Sequence, residues 1–165
     1  MRSYVYTWNA GTWRERATGS SFDEKYLRYA ASDKFRQRGI EPGDRLYVAN
    51  VNKGLLYIGG FILIDAIVDA AEASLRLGIP VRRLYPRHDY AIADRSHLQL
   101  FRSRLVVPDH VVDALRFENG SRGPVPPKRN RKGGLDPQTM RSIRRLVAGH
   151  EKLLDAVLDG LTPVS

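Results

Sequence analysis

The sequence predicts a small α+β domain, rich in β-structure, with helices at its periphery and a helix at its C-terminal end. Two periodicities and a composition carry that expectation. Apolar residues alternate with polar ones through much of the first hundred positions, the period of half-buried strands, whereas the last thirty repeat at three- and four-residue steps, the period of an amphipathic helix. With 165 residues, 42% of them apolar, the chain can bury roughly 70% of its unfolded surface, enough for a real core.

Taken in order, Tyr4, Tyr6 and Trp8 alternate with Val5, Thr7 and Asn9, which sets three aromatic rings on one face of a first strand. Ser21 and Glu24 have capping-box spacing and predict a helix running to about Ala31. The turn Glu41-Pro42-Gly43-Asp44 leads into a second strand, Arg45 to Val51. Asn52-Lys53-Gly54 reads as a hairpin tip, and Leu55 to Ile64 as a strand whose Gly59-Gly60 marks a bulge, a close approach of another group, or relief of barrel curvature. Asp69 caps a helix from Ala70 to Leu77, stopped by Gly78 and Pro80. Val81 to Tyr85, Leu98 to Val107 and Leu115 to Phe117 are further strands, with a short helical turn over Val111 to Leu115. Asp136 and Pro137 open the last helix, whose stripe runs from Met140 through Ile143, Leu146 and His150 to Leu158. No internal repeat is visible. Residues 1–118 therefore form the main body, 119–134 a mobile basic loop rich in Pro and Gly, and 135–165 a helix packed on that body.

Charge narrows the partner. There are 27 Lys and Arg against 18 Asp and Glu, a net charge of +9, and the sequence pI is near 10.1. The stretch from Arg116 to Arg145 holds nine of those cations against two acids. Such density favours a polyanion, because each phosphate neutralised releases condensed counterion, although solvated charge is the plain alternative. The absence of cysteine removes disulfides and thiolate chemistry and points to the cytoplasm; no signal peptide or membrane span is visible.

Tyr4-Val5-Tyr6-Thr7-Trp8-Asn9 with Trp13 following, Gly43-Asp44-Arg45-Leu46-Tyr47-Val48, and the hairpin with its Gly-containing strand from Lys53 to Phe61 together resemble EVE domains. In particular they resemble the modification-reading EVE-like domains found beside HNH nucleases. The resemblance covers about sixty residues in order. It implies the PUA-like fold, a strongly bent β-barrel with helices around it, and a pocket for a flipped, modified base, with 5-methylcytosine-type DNA the first choice. The family's second cage aromatic lies in a Trp-Ser-x-Gly-Asn-Arg type segment; by spacing Tyr29 stands here for the Trp and Asp33 for the Asn. That departure replaces an amide with an acceptor, which suits a base amino group.

The chemistry is independent of the resemblance. An extruded base loses a few kcal/mol of stacking and pairing, and aromatic faces return about 1 to 3 kcal/mol per base. Trp8 and Tyr29 are the first candidate walls, Trp13 and Tyr57 further ones, with Asn9 or Asp33 reading the base edge. The competing reading is ordinary core for the rings and backbone capping for Asn9 and Asn50. Lys34, Arg36 and Arg38 beside the pocket, with Lys128, Arg129, Arg131 and Lys132 of the loop, are placed to contact phosphates, while Arg82, Arg83 and Arg87 suit protection of a strand edge. His88, His97, His110 and His150 fall in no metal or catalytic motif, so the expectation is a non-enzymatic protein without metal or cofactor, acting alone as a sensor or with a separately encoded effector. It would be a monomer or weak homodimer. Two other readings stay open: an RNA-binding PUA-like protein, and an interaction module that uses the apolar stripe of the last helix.

Overall fold

Alternate residues of the first strand, β1 (Ser3–Thr7), enter two different cores, because successive side chains of a strand point to opposite faces. Tyr4 packs with Leu46, Val48 and Ile62 on one face, and Val5 with Tyr47, Leu56 and Ile58 on the other. The sheet is thus buried on both sides. The computed structural model describes residues 1–19 and 25–160, among which six strands and four α-helices form a mixed α+β fold. The other strands are β2 (Tyr29–Ser32), β3 (Arg45–Asn52), β4 (Leu55–Val68), β5 (Asp89–Ala93) and β6 (Ile143–Arg145). Their hydrogen-bonded order is β2-β5-β4-β3-β1-β6; β1 and β3 are parallel and every other pair is antiparallel. No described helix is long and apolar enough to cross a membrane.

Two irregularities bend this sheet. Along β4 the pairing with β3 shifts at Gly59, so that Gly60 faces Val48 while Ile58 faces Ala49, and the pairing with β5 shifts at Asp65. At Gly59 a Cβ would lie 2.5 Å from the Phe101 ring, so the glycine admits a close-packed aromatic. The curl is large. β1 and β2 stand four places apart, about 19 Å in a flat sheet, yet the Tyr6 hydroxyl of β1 donates to the Ala31 carbonyl of β2 at 2.7 Å. The sheet remains open, since its terminal strands β2 and β6 each pair on one side only.

Asp44 explains the Gly-Asp turn: its buried carboxylate accepts from the Glu41 and Arg2 amides, both at 3.0 Å, and pairs with the Arg2 guanidinium at 3.1 Å. α2 (Ala70–Leu77) starts at Asp69 and ends at Gly78 as the sequence predicts, and α3 (Asp109–Ala114) follows Pro108.

Elsewhere the expectations are corrected. The capping box at Ser21 lies outside the described residues, and the helix expected to reach Ala31 gives way to β2, whose partner β5 is a strand absent from the sequence reading. Val81–Arg83 is a 3-10 turn rather than a strand, because Pro80 and Pro86 cannot donate to a ladder. Leu98 to Val107 makes only isolated bridges, at Leu100 and Val106, and Phe117 bridges Val125 and Leu146. α1 (Ala10–Thr18) is a helix the sequence reading missed.

The C-terminal helix is divided. Asp136 does cap, accepting from the Gln138 amide at 3.0 Å, but Pro137–Met140 forms a single 3-10 turn. Ser142 at φ 68° then turns the chain so that β6 pairs with β1, and Gly149 at φ 93° precedes α4 (Glu151–Leu158). The basic loop is tied down rather than mobile. Val125 bridges Phe117, Arg129 bridges Leu135, and Asn130 Oδ1 accepts from the amides of Lys132 and Gly134 at 3.0 and 3.1 Å.

Candidate functional site

The curl that carries Tyr6 to β2 leaves a cavity of about 710 Å³ between the end of β1, the first turns of α1, β2 and the segment from Ile79 to His88. That volume falls in the usual range for a ligand site. Its rings are Tyr6, Trp8, Tyr29 and Tyr85; Arg16, Arg83 and His88 bring positive or basic groups, and Glu15 is its single carboxylate among the described residues. Trp8 and Tyr29 therefore share one cavity.

The slot between them is filled. The Arg16 guanidinium lies over both rings, 4.9 Å from the Trp8 centroid and 4.3 Å from that of Tyr29, and donates to the Tyr29 carbonyl at 3.2 Å. α1 delivers Arg16 there because Asn9 caps the helix, its Oδ1 accepting from the Thr12 amide at 2.8 Å. Trp8 is only 4% exposed: Trp13 packs edge-on against it at 6.3 Å, Phe101 lies 5.8 Å away, and Arg16 covers it further. Asn50 fixes the strand end by donating to the Trp8 carbonyl at 3.0 Å.

The sequence-predicted residues separate accordingly. Trp8, Asn9 and Tyr29 line the cavity, and Asn9 spends its oxygen on the cap while its amide nitrogen still offers donors. Trp13 and Tyr57 do not line it: Trp13 packs on Trp8 and Phe101 and donates to the Ser103 carbonyl, while Tyr57 packs against the same core from β4. Asp33 is exposed in the turn after β2, yet its charge reaches the cavity. Burial raises the Tyr6 hydroxyl above its ordinary pKa, and the Asp33 carboxylate adds to that rise.

Lys34, Arg36 and Arg38 stand exposed on the turn that follows β2, outside the lining. Arg36 is engaged with Asp89, at 3.2 Å between charges and 3.0 Å from its amide. Lys128, Arg129, Arg131 and Lys132 also lie outside the lining, and Arg129 pairs with Asp109 and Asp113 at 3.2 and 3.0 Å.

Sequence reasoning missed Thr7, Arg16, Arg83, Tyr85 and His88. Thr7 is notable because its hydroxyl is fully buried with no hydrogen-bond partner among the described residues. Its neighbour Trp8 was the signal for it, whereas Arg16 had none, lying on a helix with no apolar stripe. Among the described residues no cluster of three or more His, Asp or Glu is placed to hold a metal ion. Comparison with protein-family models, with curated proteins and with solved structures finds no match.

Proposed function

We propose that the chain is a non-catalytic nucleic-acid reader of the PUA-like, EVE type, in which the curled sheet is a bent barrel and the Trp8–Tyr29 slot receives an extruded modified base. The observation that carries this is a guanidinium held over both the Trp8 and the Tyr29 ring in a cavity of about 710 Å³. A guanidinium and a nucleobase are both flat groups edged with N–H donors, so a base fits where Arg16 rests. The Asn9 amide would then meet the base edge, and a methyl group would find ring surface at Tyr6 and Tyr29. First choice is 5-methylcytosine-type DNA, with a separately encoded effector acting on the bound complex.

Magnitudes constrain the reading. Stacking returns about 1 to 3 kcal/mol per base, and displacing a cation from two aromatic faces costs about 1 to 2 kcal/mol, so base capture alone is nearly balanced and phosphate contacts must supply much of the affinity. The alternative of a dimer through the last helix loses its motivating face, because Leu154 and Val157 of α4 are buried in the chain's own core.

The test is the ratio of dissociation constants for matched oligonucleotides with and without one 5-methylcytosine. The wild type should favour the modified strand about tenfold, and Tyr29→Ala should bring the ratio toward one. Equal affinity of the wild type for both strands contradicts the reading for this modification; an RNA strand of the same sequence, bound more tightly than either, would favour an RNA partner.

A further inference from the structure

We propose that Tyr85, backed by His88, is a second stacking platform of this cavity, on which the base next to the captured one rests, so that the protein takes up consecutive nucleotides of one strand; the inference rests on the base-capture reading above. Tyr85 is 63% exposed and is the one aromatic residue exposed to solvent among those described. A large ring left in water at a cavity is the informative exception to burial. The ring is nonetheless held in place. In the turn Tyr85-Pro86-Arg87-His88 the His88 amide donates to the Tyr85 carbonyl at 3.2 Å, with proline presetting the second position. That turn stacks the His88 ring on Tyr85, 4.7 Å between centroids and 30° between planes. On the other side of Tyr85 the chain is anchored, because Leu84 is buried and the Tyr85 amide donates to the Tyr90 hydroxyl at 2.7 Å.

Platform and slot belong to one cavity. Tyr85 and His88 line it together with Trp8 and Tyr29, and Tyr90 joins the two: its buried ring lies 6.0 Å from that of Tyr29, and its hydroxyl holds the Tyr85 amide. When a base is drawn into the slot, its neighbour in the strand loses a stacking partner, and a ring face in the same cavity returns one. Little ordering entropy opposes this, since the Tyr85 backbone is fixed and a tyrosine has only two side-chain torsions. Stacking asks for a π-face alone, so the platform accepts any flanking base and the choice of base stays with the slot.

The experiment measures binding of the full chain to three strands: the 5-methylcytosine oligonucleotide, its unmodified twin, and the modified strand with abasic residues on both sides of the 5-methylcytosine. Loss of the flanking bases should weaken the wild type about 5- to 30-fold. Tyr85→Ala should weaken binding of the intact modified strand by a similar factor and become nearly indifferent to the abasic flanks, so that the two changes are far from additive. Tyr85→Phe, which keeps the ring face, should restore the dependence on the flanks. His88→Ala, which removes the backing ring, should give a smaller loss of the same kind and keeps the test intact if Tyr85→Ala folds poorly. A wild type indifferent to the abasic flanks, or flanks that weaken wild type and Tyr85→Ala equally, overturns the platform, and a retained preference for the modified strand then leaves base capture standing. Equal affinity of the wild type for modified and unmodified strands overturns base capture and the platform with it.

Discussion

Arg16 is the residue on which the site turns. Its guanidinium is held over Trp8 and Tyr29 by two cation–π contacts and a hydrogen bond to the Tyr29 carbonyl. Each such contact is worth about 0.5 to 1 kcal/mol where water reaches it, so a ligand that needs the slot competes with a resident group. Arg16→Ala should therefore tighten capture of the modified base about 5- to 30-fold, the factor that corresponds to about 1 to 2 kcal/mol. Titration in salt high enough to screen phosphate attraction isolates the slot from backbone contacts. Weaker binding by the variant there would show that Arg16 grips the ligand instead of giving way to it. Trp8 and Asn9 were named from sequence as strand-end residues, and Tyr29 by its spacing in the resemblance to EVE domains. Trp13 was not separable from them, because a ring that supports a wall and a ring that is the wall have the same composition signature.

At the scale of elements, α4 is fastened to the sheet by a polar contact. Arg45 of β3 pairs with Asp155 of α4 at 2.9 Å, the Tyr47 hydroxyl donates to the same carboxylate, and the Arg45 guanidinium lies 4.3 Å over the Phe61 ring. Burial, and then the hydrogen bond to Asp155, push the Tyr47 phenol well above its ordinary value of 10.0. A group raised on folding stabilises the fold fully below its unfolded pKa, and that contribution is lost as pH rises above it. The unfolding free energy should accordingly hold level up to about pH 10 as far as tyrosines are concerned and decline above it, with Tyr47→Phe showing a shallower alkaline decline; denaturant titrations from pH 8 to 11 check this. A decline equally steep in the variant would place the lability elsewhere.

The same elements show why some were readable and others were not. β1, β3, β4 and α2 declare themselves through alternation, a Gly-Asp turn, or matched caps at Asp69 and Gly78. β2 and β6 span four and three residues, too short for periodicity, and β5 is buried along residues 90–93 without alternation; all three exist because a neighbour supplies their hydrogen bonds. The stripe from Met140 to Leu158 is a helical pattern, but its first half serves tertiary demands: Ile143 enters one core from β6 and Leu146 the other. Gly149 was the available sign of a break. α1 has only Trp13 buried, so no stripe announces it; Asn9 before it and Gly19 after it were its caps in plain view.

For the molecule as a whole, most of the net charge of +9 lies in the stretch from Arg116 to Arg145, none of whose residues lines the cavity. Counting cations does not locate a contact surface, since Arg129 answers to Asp109 and Asp113, and Arg36 to Asp89, once the chain has folded. What composition does supply is a reporter, because the chain has only two tryptophans and one lines the cavity. In Trp13→Phe the emission comes from Trp8 alone, and a base that replaces Arg16 over that ring must alter it. The most direct measurement is titration of this variant with the 5-methylcytosine oligonucleotide and its unmodified twin. The emission should change with the modified strand at about a tenth of the concentration the unmodified strand requires. Binding of both strands with the Trp8 signal unmoved would contradict capture in the Trp8–Tyr29 slot.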